Sequence, residues 1–195
     1  MKPPSDYYDD HALEFIRSTA SMDMAELYEP FLERVPAGGR ILDAGCGSGR
    51  DTRAFLSKGF DVVAIDASAK MVQAAQVLTG RPVLQLRFQE IAWVEEFDGI
   101  WTSASLLHVS RAEMDDVWHR LVTALYPGGV WFMSFKKGAG EAVRNGRFFN
   151  DYDEDTLRAL IQTHPALELL RIWTTADSRP GRAHERWTNA LILRC

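Results

Sequence analysis

Three glycines alternate with other residues between Gly45 and Gly49, directly after a short apolar segment that contains Asp43. Glycine adopts positive φ angles at little cost and has no Cβ to keep a ligand away from the backbone. The pattern predicts a strand, a tight turn that contacts a ligand, and the start of a helix. A second apolar segment, residues 60–65, ends at Asp66. An acid at this place in a doubly wound fold accepts hydrogen bonds from ribose hydroxyls, so the two features together predict a nucleoside ligand.

The glycine spacing also disfavours some nucleotide ligands. A dinucleotide-binding turn has the spacing G-x-G-x-x-G, whereas here the third glycine comes one residue early and Arg50 follows it. A phosphate-binding P-loop needs Gly-Lys-Ser/Thr, which is absent. NAD, ATP and GTP bound in these ways are therefore not expected. The carboxylate of Asp43 would repel a pyrophosphate and suits a cationic ligand.

These residues match a known family. Residues 41–49, followed by Asp66, resemble the first two motifs of the class I S-adenosylmethionine-dependent methyltransferases. Residues 96–101 resemble the fourth strand of that family, and residues 125–130 resemble the Leu-x-Pro-Gly-Gly turn before its fifth strand. The resemblance covers nearly the whole chain and implies S-adenosyl-L-methionine as cofactor, with S-adenosyl-L-homocysteine as product. Among subgroups, the short chain and the sequence Gly-Ser-Gly-Arg-Asp are similar to TehB-like and other small-molecule methyltransferases.

The composition favours one compact α/β domain. The chain has 195 residues, of which 46% are hydrophobic and 25% are charged, which is enough to bury a core. The polar N-terminus and the lack of a membrane-length apolar run predict a cytoplasmic protein. Cys46 lies in the glycine turn and Cys195 is the last residue, so no structural disulfide is expected. A net charge of −5 argues against a nucleic-acid partner, and no metal site is predicted; the oligomeric state stays open.

Apolar periodicity predicts a helical cap followed by alternating strands and helices. Two amphipathic segments, residues 6–19 and 23–35, form the cap. The core then alternates as strand 40–44, helix 50–58, strand 60–65, helix 68–79, strand 82–87, strand 98–103, helix 111–125 and strand 129–136. Such alternation is typical of a doubly wound, mostly parallel sheet with helices on both faces, the Rossmann-like methyltransferase fold.

The remaining chain completes the predicted seven-stranded sheet. A charged, glycine-rich loop is expected at residues 137–146, followed by a helix with an acidic first turn near Asp153. The β-like segments 167–175 and 185–194 form, by the resemblance, an antiparallel hairpin at the sheet edge. The whole chain, 1–195, is read as a single domain with a cap (1–37), a cofactor-binding core (38–136), and a C-terminal helix and hairpin (137–195).

The resemblance implies roles for the residues around the glycine turn. Backbone groups of Gly45, Cys46 and Gly47 lie beside the methionine and ribose of the cofactor. Asp66 takes the ribose hydroxyls, and Asp43 lies near the amino group, directly or through water.

The remaining expected cofactor contacts are made by residues around the adenine and by the cap. Ala67 and Met71 sandwich the adenine, since a flexible thioether packs well on a π face. Gln89 and Glu90 are the nearest candidates for the adenine edge. Ser103, at the end of the fourth strand, is included among the cofactor-binding residues. Tyr8 in the cap offers an aromatic face to a sulfonium cation.

Acceptor contacts are expected from the loops that follow the fourth and fifth strands. His108 follows the fourth strand, at the sheet edge where such folds hold their ligands, and is the first candidate for substrate contact or proton removal. Lys136 is a candidate for holding an anionic substrate. Arg147 and Phe148 are candidates for lining the acceptor pocket.

The predicted activity is methyl transfer to a small-molecule acceptor, at a sulfur, oxygen, nitrogen or chalcogen atom, by in-line displacement. The alternatives left open are an RNA or protein methyltransferase, a non-catalytic module that binds S-adenosylmethionine, and an oxidoreductase that binds NAD through the altered glycine spacing. An RNA or protein substrate is disfavoured by the acidic balance, and also because Ser103-Ala104-Ser105-Leu106 stands where base methyltransferases commonly carry an Asn/Asp-Pro-Pro-Tyr tetrad.

Overall fold

The computed structural model of the protein describes residues 4–19, 22–179 and 181–195. The helices over these residues are α1 (Pro4–Asp10), α2 (Ala12–Thr19), α3 (Ala25–Leu32), α4 (Arg50–Ser57), α5 (Ala69–Thr79), α6 (Arg111–Ala124) and α7 (Glu154–Gln162). The strands are β1 (Arg40–Ala44), β2 (Asp61–Asp66), β3 (Leu84–Gln85), β4 (Phe97–Thr102), β5 (Leu125–Lys136), β6 (Gly140–Arg144), β7 (Arg147–Asp151), β8 (Leu167–Ala176) and β9 (Arg186–Arg194). Short 3₁₀ turns cover Phe88–Glu90 and Leu106–His108.

Seven strands of the described residues form one sheet in the order β3-β2-β1-β4-β5-β9-β8. Strands β1 to β5 pair in parallel, and β9 runs antiparallel to both β5 and β8. The predicted fold class is therefore confirmed, including the antiparallel hairpin at the edge. The strand order reverses between β1 and β4, which is where open α/β sheets bind their ligands.

Side chains of successive strand residues pack on opposite faces of this sheet. On one face, Ile100 of β4 packs in a cluster with Trp118 of α6. On the other face, Trp101 packs with Phe31 of α3 and Phe55 of α4, and all three are fully buried. This two-sided burial explains why the strands read as continuous apolar runs. It also fixes the register of β1, β2 and β4, whose carboxyl ends meet at one edge.

The N-terminal cap differs from its predicted form. The first predicted cap segment, residues 6–19, forms two short helices that meet at His11. The second predicted segment, residues 23–35, forms a helix that ends at Leu32. Residues 1–3, 20 and 21 of the predicted cap lie outside the described residues.

The segment predicted as a loop, residues 137–146, is the largest correction to the expected elements. Strands β6 and β7 form a separate two-stranded antiparallel ribbon. Its two-residue turn is Asn145-Gly146, and both residues have positive φ, 50° and 75°. Asn-Gly is the strongest short-range hairpin signal, because both turn positions need a left-handed backbone. This signal was present in the sequence.

The predicted third strand, residues 82–87, is reduced to Leu84–Gln85 at the sheet edge. Among the described residues, none of the helices is both long enough and apolar enough to cross a membrane.

The glycine turn after β1 is packed from below by the loop after β4. The backbone at Gly45 has φ +81°, and a Cβ there would lie 2.4 Å from the Cβ of Ser105. The Ser105 hydroxyl donates a hydrogen bond to the carbonyl of Ala44 at 2.8 Å. Gly45 is therefore required by the close approach of two chain segments as well as by its own conformation.

Gly45→Ala should lower the free energy of unfolding by roughly 2–5 kcal/mol, because it adds overpacking to the cost of a left-handed residue. Gly59→Ala is the matched control: its φ is +89°, but a Cβ there meets no atom within 4 Å. Urea denaturation of both variants measures the difference. Equal destabilisation of the two variants would contradict the close packing, and Ser105→Gly should partly restore Gly45→Ala.

Candidate active site

The carboxyl edge of the sheet opens into a cavity of about 1240 Å³. Its walls come from the glycine turn, the end of β2, the loop after β4, the cap, the β6–β7 ribbon and the β8–β9 edge. A pocket for one small ligand is usually about 300–1000 Å³. The cavity therefore has room for a nucleoside cofactor and a second small molecule.

The glycine turn is held by backbone hydrogen bonds to the neighbouring strand β2. The amides of Gly45 and Cys46 both donate to the carbonyl of Ile65, at 2.9 Å each. The amide of Gly47 donates to Oδ2 of Asp66 at 2.9 Å. The nearest neighbour of a Cβ placed at Gly47 would be the Phe15 ring, at 3.4 Å. The turn therefore presents bare backbone to the cavity, beneath the cap.

Asp66 lies at the end of β2 and lines the cavity. Its second oxygen, Oδ1, accepts from the amide of Ser68 at 2.8 Å. Burial raises the pKa of this carboxyl above its ordinary value, against the lowering effect of the two amides. Since a carboxylate oxygen can accept two hydrogen bonds, both oxygens keep capacity for a ligand hydroxyl.

Asp43 lies beneath the turn, and the structure does not bring it to the cavity wall. The residue is 2% exposed, and its Oδ2 accepts from the Thr52 hydroxyl at 2.5 Å. Burial and then the nearby charge of Asp51 raise the pKa of Asp43 to about 8. Asp43 thus joins helix α4 to β1, and its expected place near the cofactor amino group, directly or through water, stays a prediction.

A buried polar network beside the turn was missed by the sequence analysis. The Asp51 carboxylate accepts from Tyr28 Oη at 2.6 Å, from Trp101 Nε1 at 2.9 Å and from Arg50 Nε at 2.6 Å. Burial raises the pKa of Asp51, but Arg50 and these donors outweigh it and hold the pKa below its ordinary value. Arg50 and Asp51 both line the cavity, so a paired charge stands beside the glycine turn.

The predicted adenine-side residues divide into two groups. Ala67, Met71 and Ser103 line the cavity, as does Gln89, whose amide donates to Glu113 at 3.0 Å. Glu90 is exposed and accepts instead from the backbone and side chain of Arg87. The structure therefore does not bring Glu90 to the cavity. Cys46 lines it, and burial, followed by the charge of Asp43, raises the pKa of this thiol.

The cap closes over the cavity through polar contacts with the core. Tyr8 Oη lies 2.8 Å from His108 Nε2. Asp9 Oδ1 accepts from the Ser68 hydroxyl at 2.5 Å and from the Lys70 amide at 3.1 Å, at the start of α5. These contacts join helix α1 to both sides of the sheet edge.

His108 has both ring nitrogens occupied. Its Nδ1 lies 2.7 Å from the carbonyl oxygen of Phe148. A carbonyl only accepts, so Nδ1 carries the proton and Nε2 accepts from the Tyr8 hydroxyl. Burial lowers the pKa of His108 to about 4, which keeps the ring neutral. In this closed arrangement the predicted base has no free nitrogen; it links the cap to strand β7.

The other predicted acceptor residues are placed differently from one another. Lys136 lines the cavity, but its amine pairs with Asp177 at 2.9 Å and with Glu185. Its charge is therefore already neutralised within the chain. Phe148 is absent from the cavity lining and contributes its carbonyl to His108, whereas Phe149 lines the cavity. Arg147 also lines it.

Comparisons with known proteins agree with this geometry. Residues 41–129 match a family described as "Methyltransferase domain". An uncharacterized methyltransferase of Geobacillus kaustophilus is 34% identical over 148 residues, which cover 69% of this chain and 67% of that protein. The chain belongs to the class I S-adenosylmethionine-dependent methyltransferase family. The alignments span between 27% and 67% of the length of the first three curated relatives.

Two solved methyltransferase structures share the fold over 98% or more of the chain. The 1,6-didemethyltoxoflavin-N1-methyltransferase of Burkholderia thailandensis, solved with 1,6-didemethyltoxoflavin and S-adenosylhomocysteine, has a TM-score of 0.77 at 19% identity. The match covers 100% of this chain and 91% of that one. A TehB-like methyltransferase of Corynebacterium glutamicum has a TM-score of 0.69 at 18% identity, covering 98% of both chains. These likenesses show the fold; the narrower TehB-like grouping stays a prediction.

The cavity of this class I methyltransferase fits the cofactor of the family. The backbone at Gly47 is open where a Cβ would intrude, the Asp66 carboxylate has free acceptor capacity, and Met71 supplies an apolar wall. Within the described residues, no three His, Cys, Asp or Glu side chains come together as a metal-binding group.

Protonation of His108 should destabilise the fold in acid. Its pKa is about 4 in the folded protein against 6.5 ordinarily, so the unfolded chain binds the proton more readily as pH falls through this window. Between about pH 7.5 and about pH 5, wild type should lose roughly 1–2 kcal/mol more stability than His108→Gln. Urea denaturation at both pH values measures this, with the exposed His119→Gln as control. An identical loss in wild type and His108→Gln would contradict the neutral, buried ring.

Proposed function

We propose that this protein transfers a methyl group from S-adenosylmethionine to a small-molecule acceptor. The observation that carries the proposal is the cavity at the carboxyl edge, where a bare glycine turn and the carboxylate of Asp66 stand together beneath the cap. Family membership supplies the cofactor, and the size of the cavity leaves space beside it for a small acceptor.

The residues of the chain divide the binding work. Asp66 would hold the ribose hydroxyls, the backbone of Gly45 to Gly47 would lie along the ribose and methionine, and Ala67 with Met71 would enclose the adenine. When bound, the cofactor supplies an electrophilic methyl group on a cationic sulfur. Methyl transfer of this kind depends mainly on alignment and on exclusion of water. Tyr8 and Phe15 of the cap provide that cover.

The cap also supports a small acceptor over a macromolecule. Helices α1 and α2 lie over the turn, and contacts from Tyr8 to His108 and from Asp9 to Ser68 close the cavity on two sides. A folded protein or a structured RNA would need this cover displaced. Relatives named for their substrates include a ubiquinone biosynthesis O-methyltransferase of Psychrobacter arcticus, 33% identical over 108 residues, and a malonyl-[acyl-carrier protein] O-methyltransferase of Enterobacter lignolyticus, 30% identical over 106 residues.

Asp66→Asn should weaken binding of S-adenosylhomocysteine by roughly tenfold to a hundredfold, because it removes a charged acceptor for the ribose hydroxyls and for the Gly47 amide. Asp61→Asn is the matched control, since Asp61 begins the same strand and its side chain is 68% exposed. Isothermal calorimetry measures both affinities, and NADH serves as the competing nucleotide.

Thermal unfolding of the same variants separates binding from folding. Burial already disfavours the Asp66 carboxylate, so the asparagine variant should stay folded while its affinity falls. Unchanged affinity in Asp66→Asn, or tighter binding of NADH than of S-adenosylhomocysteine by wild type, would contradict the proposed function.

A further inference from the structure

Arg147 places a positive charge in the cavity wall without a carboxylate partner among the described residues. Its guanidinium carbon lies 4.8 Å from the centre of the Tyr7 ring and 5.1 Å from that of Phe149. Its Nε is buried and has no hydrogen-bond acceptor in the described part of the chain. A buried donor on a charged group is costly unless an acceptor reaches it. Arg147 as a whole is only half-buried and lines the cavity, so an anion that enters the cavity can reach the guanidinium.

Two other cations of the cavity, Arg50 and Lys136, differ from Arg147 because each is paired with a carboxylate of the chain. Arg50 is paired with Asp51 at 2.6 Å, and Lys136 is paired with Asp177 at 2.9 Å. These pairs are held by buried carboxylates with 8% or less side-chain exposure. A ligand anion at either cation would have to compete with a fixed carboxylate, and Arg147 needs no such exchange.

His108, whose pKa is influenced by the charge of Arg147, is not free to act as a base. His108 uses Nδ1 on the Phe148 carbonyl and Nε2 on the Tyr8 hydroxyl. Burial is the main cause of the lowered pKa of His108, and the charge of Arg147 lowers it further. An acceptor that must lose a proton is therefore poorly served here, whereas one that arrives already ionised needs no base. At neutral pH, carboxylic acids meet this condition, since a carboxyl group ionises near pH 4.

We propose that the acceptor is a small carboxylic acid, held as its carboxylate by Arg147 and methylated on a carboxylate oxygen. The proposal rests on the proposed function. The oxygen forms a bond to the methyl carbon, the bond from that carbon to sulfur breaks, and its electron pair stays on sulfur. The products are a methyl ester and a neutral thioether, and no proton is transferred. The rings of Phe15, Phe88 and Phe149 line the cavity, so the body of the acid is apolar.

The first experiment identifies the atom that receives the methyl group. The protein is incubated with methyl-labelled S-adenosylmethionine and with benzoate or hexanoate, in parallel with benzamide, phenol, thiophenol and aniline. Mild alkali cleaves methyl esters to methanol and leaves ethers, thioethers and methylamines intact. We expect label in a base-labile product with the carboxylates alone.

The second experiment measures recognition without turnover. Calorimetry follows binding of benzoate and hexanoate to the complex with S-adenosylhomocysteine, in wild type, Arg147→Gln and Arg171→Gln. Arg171 is the matched control because its guanidinium also packs on an aromatic ring, 4.5 Å from Trp173, but does not line the cavity. Arg147→Gln should weaken carboxylate binding by roughly tenfold or more through loss of charge-assisted hydrogen bonds. Arg171→Gln should bind as wild type does, and both variants should retain S-adenosylhomocysteine.

The outcomes distinguish this inference from the proposed function. Base-stable methylation of phenol, thiophenol or aniline would overturn the carboxylate assignment and leave the methyltransferase activity intact. Failure of the S-adenosylhomocysteine complex to bind either carboxylate, or equal binding by wild type and Arg147→Gln, would overturn it as well. Failure to bind S-adenosylhomocysteine at all would overturn the proposed function itself.

Discussion

The structure of the site depends on the close packing of three chain segments where β1, β2 and β4 end. Gly45 lies against Ser105, and the Gly47 amide donates to Asp66. A side chain at position 45 would push the turn away from the loop after β4, and the amide at 47 would then lose its carboxylate. Because parallel strands bring their carboxyl ends to one edge, these two contacts fix a ligand-binding surface built from residues that are far apart in the chain, such as Gly45 and Ser105.

The cap and the ribbon are tied to this surface through one histidine. His108 accepts a hydrogen bond from the Tyr8 hydroxyl of α1 and donates one to the Phe148 carbonyl of β7. Its neutral ring is therefore a connector between the cover of the cavity and the wall that carries Arg147. A group placed to remove a proton would need a free nitrogen, and the same contacts that close the cavity occupy both. Closure and acceptor chemistry are linked at this residue.

Local sequence patterns predicted the core of the fold well because each strand and turn there is specified by a few adjacent residues. The run from Ile41 to Gly49 specifies a buried strand and a turn with glycine at every second position, and Asp66 follows the next apolar run. The ribbon of β6 and β7 could also have been predicted, since Asn145-Gly146 is a hairpin turn. Its charged composition favoured a loop in the sequence interpretation.

Other features depend on contacts that no local pattern carries. The counterions of Lys136 are Asp177 and Glu185, 41 and 49 residues later in the chain. Asp43 directly precedes the glycine turn, where the sequence suggests a ligand-binding acid. In the fold it is buried and accepts a hydrogen bond from Thr52 of α4. Only the folded arrangement shows which cations of the cavity, such as Arg50 and Lys136, are paired with a carboxylate of the chain, and that Arg147 has no such pair among the described residues.

A crystal structure of the protein with S-adenosylhomocysteine would show directly whether the glycine turn and Asp66 hold the cofactor. We expect both ribose hydroxyls to lie within hydrogen-bonding distance of the Asp66 carboxylate and the homocysteine end to follow the backbone from Gly45 to Gly47. A nucleoside bound away from the turn, with Asp66 still facing an empty cavity, would contradict this expectation.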